Sequence, residues 1–201
     1  MEFKKIQLNG FKSFAEKTNF LIEDGLTGIV GPNGCGKSNI VESLRWAMGE
    51  TSAKSMRGSG MEDVIFNGTS NKASKNIAEV SIVVDNASHD GPFQYKEMDH
   101  IEVRRKIEKD KGSKFYINDK EVRARDAQMF FADLSTGAHS PSMISQGRIG
   151  ALVTAKPTDR RAILEEAANI SGLHVRRHEA ELRLNAAETN LKRADELRRQ
   201  Q

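Results

Sequence analysis

Gly31-Pro32-Asn33-Gly34-Cys35-Gly36-Lys37-Ser38 fits the phosphate-loop pattern Gly-x4-Gly-Lys-Ser in full, and this run limits the fold more than any other part of the chain. A loop of this kind works only between a strand and a helix. Its glycines let the backbone turn tightly and aim successive N–H groups at anionic oxygens. The start of the following helix adds its positive dipole end at the same point. The flanks agree with that setting. Leu26-Thr27-Gly28-Ile29-Val30 is a short apolar run and predicts a buried central strand. Ile40, Val41, Leu44 and Met48 recur at helical spacing, with Gly49 as the stop. The ligand expected is a nucleoside triphosphate. Lys37 supplies charge to its β- and γ-phosphates, and the Ser38 hydroxyl is placed to ligate magnesium. Pro32 lies in the loop. Asn33, Gly34, Cys35, Gly36, Ser38 and Asn39 are the expected backbone donors. Cys35 reads as a small filler of the turn.

The rest of the chain reads as strands, then helices. Phe3 to Leu8 and Thr18 to Ile22 predict strands before the loop. Thr51 to Gly60, rich in Ser and Gly, predicts a loop. Val64–Phe66, Ala78–Val84, Ile101–Ile107 and Lys114–Ile117 predict an antiparallel meander, with a turn at Asn118-Asp119-Lys120. Arg104-Arg105-Lys106 reads as an exposed stretch of its strand. Arg125–Leu134 predicts a helix, Met143–Gln146 a short extended piece, and Pro157 the opening of another helix. From Thr158 onward there is no proline and a single glycine, Gly172. Leu173, Ala180, Ala187 and Ala194 share one heptad position, with Leu184 and Leu191 at its partner position. The pattern predicts the start of a coiled coil whose partner helix comes from elsewhere. It runs uncapped to Gln201, as a truncated helix would.

Composition narrows the setting. Of 201 residues, 31 are Lys or Arg and 28 are Asp or Glu, a net charge of +3 that permits nucleic-acid contact without arguing for it. The single cysteine forms no internal disulfide, and no stretch approaches the length of a membrane span, so the expected location is the cytoplasm. Hydrolysis needs a carboxylate to position magnesium and water at the end of an apolar strand. The chain offers only Asp85 after the alternating Val80–Val84, so binding is expected and cleavage by this chain alone is not.

Several segments together resemble one family. They are Phe3-Lys4-Lys5-Ile6-x-Leu8-Asn9-Gly10-Phe11-Lys12-Ser13-Phe14, the phosphate loop continued by Asn39-Ile40, Met56-Arg57-Gly58, Met61-Glu62-Asp63-Val64-Ile65-Phe66, Ile144-Ser145-Gln146-Gly147-Arg148-Ile149, and Lys156-Pro157 followed by Arg160-Arg161 and Leu164-Glu165-Glu166-Ala167-Ala168. The chain resembles the N-terminal head segment of bacterial SMC (structural maintenance of chromosomes) ATPases. The resemblance implies an α/β fold of the P-loop NTPase class: an ABC-type N-terminal half-head with an antiparallel β meander and the start of a coiled-coil helix. The implied division is a lobe over 1–156, a helical transition over 157–172 and a coiled-coil start over 173–201.

The family's C-terminal lobe brings the signature motif, the magnesium-binding aspartate and the catalytic glutamate, which are not found in this sequence. The resemblance implies ATP and Mg2+ as cofactors. It makes Gln146 a ligand sensing magnesium and water, and Arg57 the arginine that links DNA contact to hydrolysis. Lys12 and Ser13 fall where the first strands approach the nucleotide. Implied partners are the C-terminal lobe, a second SMC head in a homodimer, kleisin-type accessory subunits and DNA, in a nucleoid-associated protein with no membrane contact. The expected function is an ATP-driven motor of chromosome condensation and segregation, inactive in hydrolysis as this fragment. A DNA-repair or recombination ATPase of the same superfamily, and a nucleotide-binding scaffold without catalysis, are the alternatives.

Overall fold

The computed structural model of the chain describes residues 1–89, 91–134, 143, 150, 153–168 and 171–200. Alternation along the sequence builds its sheet. Among the described residues the strands are β1 (Glu2–Asn9), β2 (Thr18–Leu21), β3 (Ile77–Asp85), β4 (His100–Glu108), β5 (Gly112–Ile117) and β6 (Lys120–Val122). They lie in the order β2-β1-β3-β4-β5-β6, every pair antiparallel. Register aligns the apolar positions across the sheet: Leu8 opposes Val80, Ile6 opposes Ile82, Ile82 opposes Val103, and Val103 opposes Ile117. Because side chains alternate with period two, this register gathers these apolar groups on one face. All of these residues are buried.

Helices cover that face. α1 (Lys37–Ala47) packs on β3 and β4, and α2 (Ala124–Asp133) packs on β5. α1 places Ile40, Trp46 and Ala47 inward, and α2 places Ala127, Phe130 and Phe131. At the start of α2, Asp126 accepts a hydrogen bond from the Arg123 N–H at 3.1 Å, satisfying one of the orphan donors there. α3 (Pro157–Ala167) and the long α4 (Ser171–Gln200) follow, and α4 runs against α2. Proline at the first position of α3 has the fixed φ the helix needs and lacks only an N–H that would be unpaired there.

Four expectations change. Leu26–Val30 is not a strand: Leu26 is 99% and Val30 94% exposed. A buried strand needs hydrogen-bonding neighbours, and none of the described strands pairs with this run. Arg105 is not on an exposed face but is buried among the apolar residues of β4, opposite Val80 and Phe115. Val64–Phe66 forms no strand. Met61–Val64 is a single 3-10 turn, and Ile65 makes one isolated bridge to Phe11. Lys120–Val122, read as the end of a turn, continues into β6. Met143–Gln146 lies outside the described residues except for Met143.

Candidate nucleotide-binding site

The phosphate loop is assembled from three pieces of chain. β1 ends at Asn9 and turns tightly through Phe11 and Phe14, whose backbones exchange two hydrogen bonds of 3.0 and 2.8 Å. This turn carries Lys12 and Ser13 up to the loop. The loop itself stands exposed from Gly31 to Cys35 and enters α1 at Lys37. Gly36 caps the helix with φ +97, and a Cβ there would meet the Ser13 Oγ at 2.5 Å. Both the conformation and the close approach call for glycine. Next to it, Asn39 Nδ2 donates to Ser13 Oγ at 2.9 Å, while the Asn39 N–H is already given to the Gly36 carbonyl at 2.9 Å.

Lys37 folds back over the loop. Its ammonium donates to the carbonyls of Gly31 and Pro32, each at 2.6 Å, and lies 3.8 Å from Cys35 Sγ. A cation held by carbonyl dipoles inside a turn, beside the N-terminus of a helix, is a donor set that fits an anionic phosphate chain. Ser38, the second residue of α1, presents an exposed hydroxyl of the hard-oxygen type magnesium takes. Pro32, Asn33, Gly34 and Cys35 line the exposed arc of the loop.

Lys12, Arg57 and Ser13 come together around α1, although they are far apart in sequence. Lys12 adopts a positive φ of 47°, and its ammonium donates to Glu42 Oε2 and to the Met56 carbonyl. Arg57, with φ 55°, ends the 3-10 turn Lys54–Met56 and brings Nε to 2.9 Å from Glu42 Oε1. Glu42 is 5% exposed. This carboxylate was not identified from sequence. The available signal was an acidic residue four positions before Trp46 on the inward stripe of α1, since a buried charge requires a partner. Gln146 lies outside the described residues.

The far end of α1 is held by Arg105. Its guanidinium stacks 4.5 Å from the Trp46 ring and 4.6 Å from the Phe115 ring. It donates to the Trp46 carbonyl at 2.8 Å, to the Glu50 carbonyl at 2.7 Å and to Ser113 Oγ at 2.7 Å. A cation on a carbonyl of a helix's last turn, here that of Trp46, opposes the negative end of its dipole. The helix that carries Lys37 and Ser38 is therefore fixed to the sheet at its C-terminal end while its N-terminal end faces the loop.

The family model for the RecF/RecN/SMC N-terminal domain matches residues 2–149. A chromosome partition protein Smc from Cereibacter sphaeroides is 57% identical over 98% of this chain, and one from Myxococcus xanthus is 44% identical over 98% of it. The chain spans 17% of the length of the first of these relatives. Among solved structures, an Smc head domain with an extended coiled coil from Pyrococcus furiosus, bound to the C-terminal domain of ScpA, superposes with a TM-score of 0.78 at 30% identity. It covers 98% of this chain, which covers 49% of that one. A second, from work on ATP-driven dimerization and DNA-stimulated activation of SMC ATPases, gives a TM-score of 0.73 at 29% identity, over 83% of this chain and 99% of that one. No helix among the described residues is long and apolar enough to cross a membrane.

Proposed function

Because the chain belongs to the RecF/RecN/SMC N-terminal domain family, we propose that it is the ATP-binding N-terminal half of the head of a chromosome-partitioning ATPase. The observation that carries this reading is the phosphate loop, with Lys37 seated on the Gly31 and Pro32 carbonyls at the mouth of α1. The loop backbone from Asn33 to Ser38, with Asn39 at its edge, would cradle the triphosphate. Lys37 would lie along the β- and γ-phosphates, and the Ser38 hydroxyl would take the magnesium ion. Bound magnesium would neutralise phosphate charge. Ser13 holds the loop through Asn39, and Lys12 and Arg57, set against Glu42, leave one positive charge in excess. Gln146 is proposed as the residue that approaches magnesium and the attacking water.

Cleavage is assigned to groups that this chain does not supply. The exposed run Leu26–Val30 leads directly into the loop, and we infer that strands of a C-terminal lobe bury it. That lobe would contribute the carboxylates of hydrolysis. α4 is proposed as the start of a coiled coil, its leucines Leu184 and Leu191 being 64% and 67% exposed. A second head, kleisin-type subunits and DNA are the partners proposed for the assembled protein, and the cytoplasmic nucleoid its location.

The test is direct. The wild-type chain should bind a fluorescent ATP analogue in the presence of magnesium, and Lys37→Ala should bind it at least tenfold more weakly, since one charge-assisted contact contributes about 1.5–3 kcal/mol. Turnover should appear only on mixing with the C-terminal lobe. Equal binding by Lys37→Ala, or magnesium-dependent hydrolysis by the chain alone, would overturn the reading.

A further inference from the structure

Two cations converge on one buried carboxylate beside the phosphate loop, and they are not held alike. Lys12 is 15% exposed in its side chain and is anchored twice, on Glu42 Oε2 and on the Met56 carbonyl. Arg57 is 63% exposed in its side chain and reaches Glu42 only through the 2.9 Å approach of Nε to Oε1. That oxygen makes no well-directed hydrogen bond. Lys12 by itself therefore neutralises Glu42, and Arg57 is the surplus cation of a set whose formal charge is +1. Two further carboxylates follow Arg57 in the chain: Asp63 accepts from the Ser59 N–H and hydroxyl and from the Gly60 N–H and also feels the charge of Lys12, and Glu62 accepts from the Asp110 N–H.

The difference matters for exchange. Breaking a buried ion pair is costly when it strands a charge in the interior. Here the departure of Arg57 leaves the buried Glu42 Oε1 without a partner but no net charge uncompensated, because Lys12 remains on Oε2. A partly solvated pair of this kind contributes little. The planar guanidinium also finds in phosphate a doubly accepting partner whose oxygens suit its fork.

We propose that Glu42 is the resting counterion of Arg57, and that a phosphate oxyanion takes Arg57 by exchange while Lys12 keeps Glu42 neutralised. Glu42 is thereby a positioning residue: it meets no phosphate itself but sets how freely Arg57 does. This inference rests on the proposed function insofar as a phosphate, from DNA or from nucleotide, is the ligand that reaches this side of the loop.

The experiment uses the 201-residue chain, a short fluorescein-labelled DNA duplex followed by anisotropy at fixed salt, and in parallel the fluorescent ATP analogue. Glu42→Gln frees Arg57 and should tighten binding about two- to fivefold, the equivalent of one partly exposed ion pair. The gain should vanish in the Arg57→Ala background, where there is no guanidinium to release. That dependence separates counterion exchange from a general rise in positive charge and from a merely structural role. Glu42→Asp, which keeps a charge for Lys12 at shorter reach, should also tighten binding, and it serves if Glu42→Gln fails to fold. An Arg57-dependent gain with the duplex supports the proposal with DNA as the source of the phosphate; such a gain with ATP alone supports it with nucleotide as the source. No gain, or a gain that persists without Arg57, overturns it. If wild type and Glu42→Gln both fail to bind either probe, the proposed function falls as well; binding by both with no Arg57-dependent difference sinks the counterion alone.

Discussion

Arg105 carries its charge into the core between Trp46 and Phe115, where burial pushes its pKa down to about 10. That remains far above neutrality, so the guanidinium stays ionised, and it donates to the Trp46 carbonyl in the last turn of α1 and to the Glu50 carbonyl just beyond it. Arg105→Met keeps the bulk and removes those charge-assisted bonds. It should lower stability in urea unfolding by about 1.5–3 kcal/mol. Arg105→Lys should recover only part of this, because an ammonium neither stacks between two rings nor spans the two carbonyls and Ser113 Oγ with a fixed fork. Asp63 gives a prediction of opposite chemical sense. Hydrogen bonds from the Gly60 N–H and from Ser59 hold its carboxyl below the usual carboxylate range. A depressed folded pKa means that the stabilisation is present above the unfolded value and is lost as pH falls through the folded one. Protection of the Ser59 and Gly60 amides from exchange, taken against the intrinsic rate at each pH, should thus fall below about pH 4, and in Asp63→Asn it should be low and lack that acid limb. At this scale the phosphate-loop residues were legible because their spacing is local. Glu42 and the buried state of Arg105 were not, since their partners lie 30 and 59 residues away.

At the scale of elements, alternation alone located β1, β3, β4 and β5 to within a residue or two, because one buried face leaves a period-two record in the sequence. It missed β6, whose three residues include a single apolar one, Val122. It over-read Val64–Phe66, where Phe66 N–H is given to the Gly10 carbonyl at 2.8 Å and Ile65 bridges Phe11, a local clasp and not a strand. That clasp depends on the bend after β1. Gly10 has φ +63, and a Cβ there would come within 2.2 Å of the Ile77 carbonyl oxygen on the neighbouring strand. Backbone cannot swing aside as a side-chain tip can, so Gly10→Ala combines a left-handed conformation with a steric clash. The expected cost is about 3 kcal/mol in urea unfolding. Since β1 leads straight to Lys12 and Ser13, weaker binding of the ATP analogue should accompany the loss of stability.

For the whole molecule, the discrepancy at Leu26–Val30 is the informative one. The sequence records that this run is apolar but not what covers it. The antiparallel sheet has its own register from β2 to β6, and Leu26 and Val30 stand 99% and 94% exposed just before the phosphate loop. In an extended conformation they fall on the same side, with Ile29 on the other. A run of this kind is buried when strands from a second lobe flank it, which would also set the angle at which the loop meets the triphosphate. Leu26→Asp/Val30→Asp should leave the circular dichroism of the chain itself unchanged, because neither side chain contributes to its core. The same pair should abolish co-elution with the C-terminal lobe and with it all recovered turnover, since a charge carried into a flanked strand has no partner there. Wild-type chain should show slowed amide exchange over residues 26–30 once the lobe is added. Co-elution of the double variant at wild-type strength would mean that the two halves meet elsewhere, and that this run has a different cover.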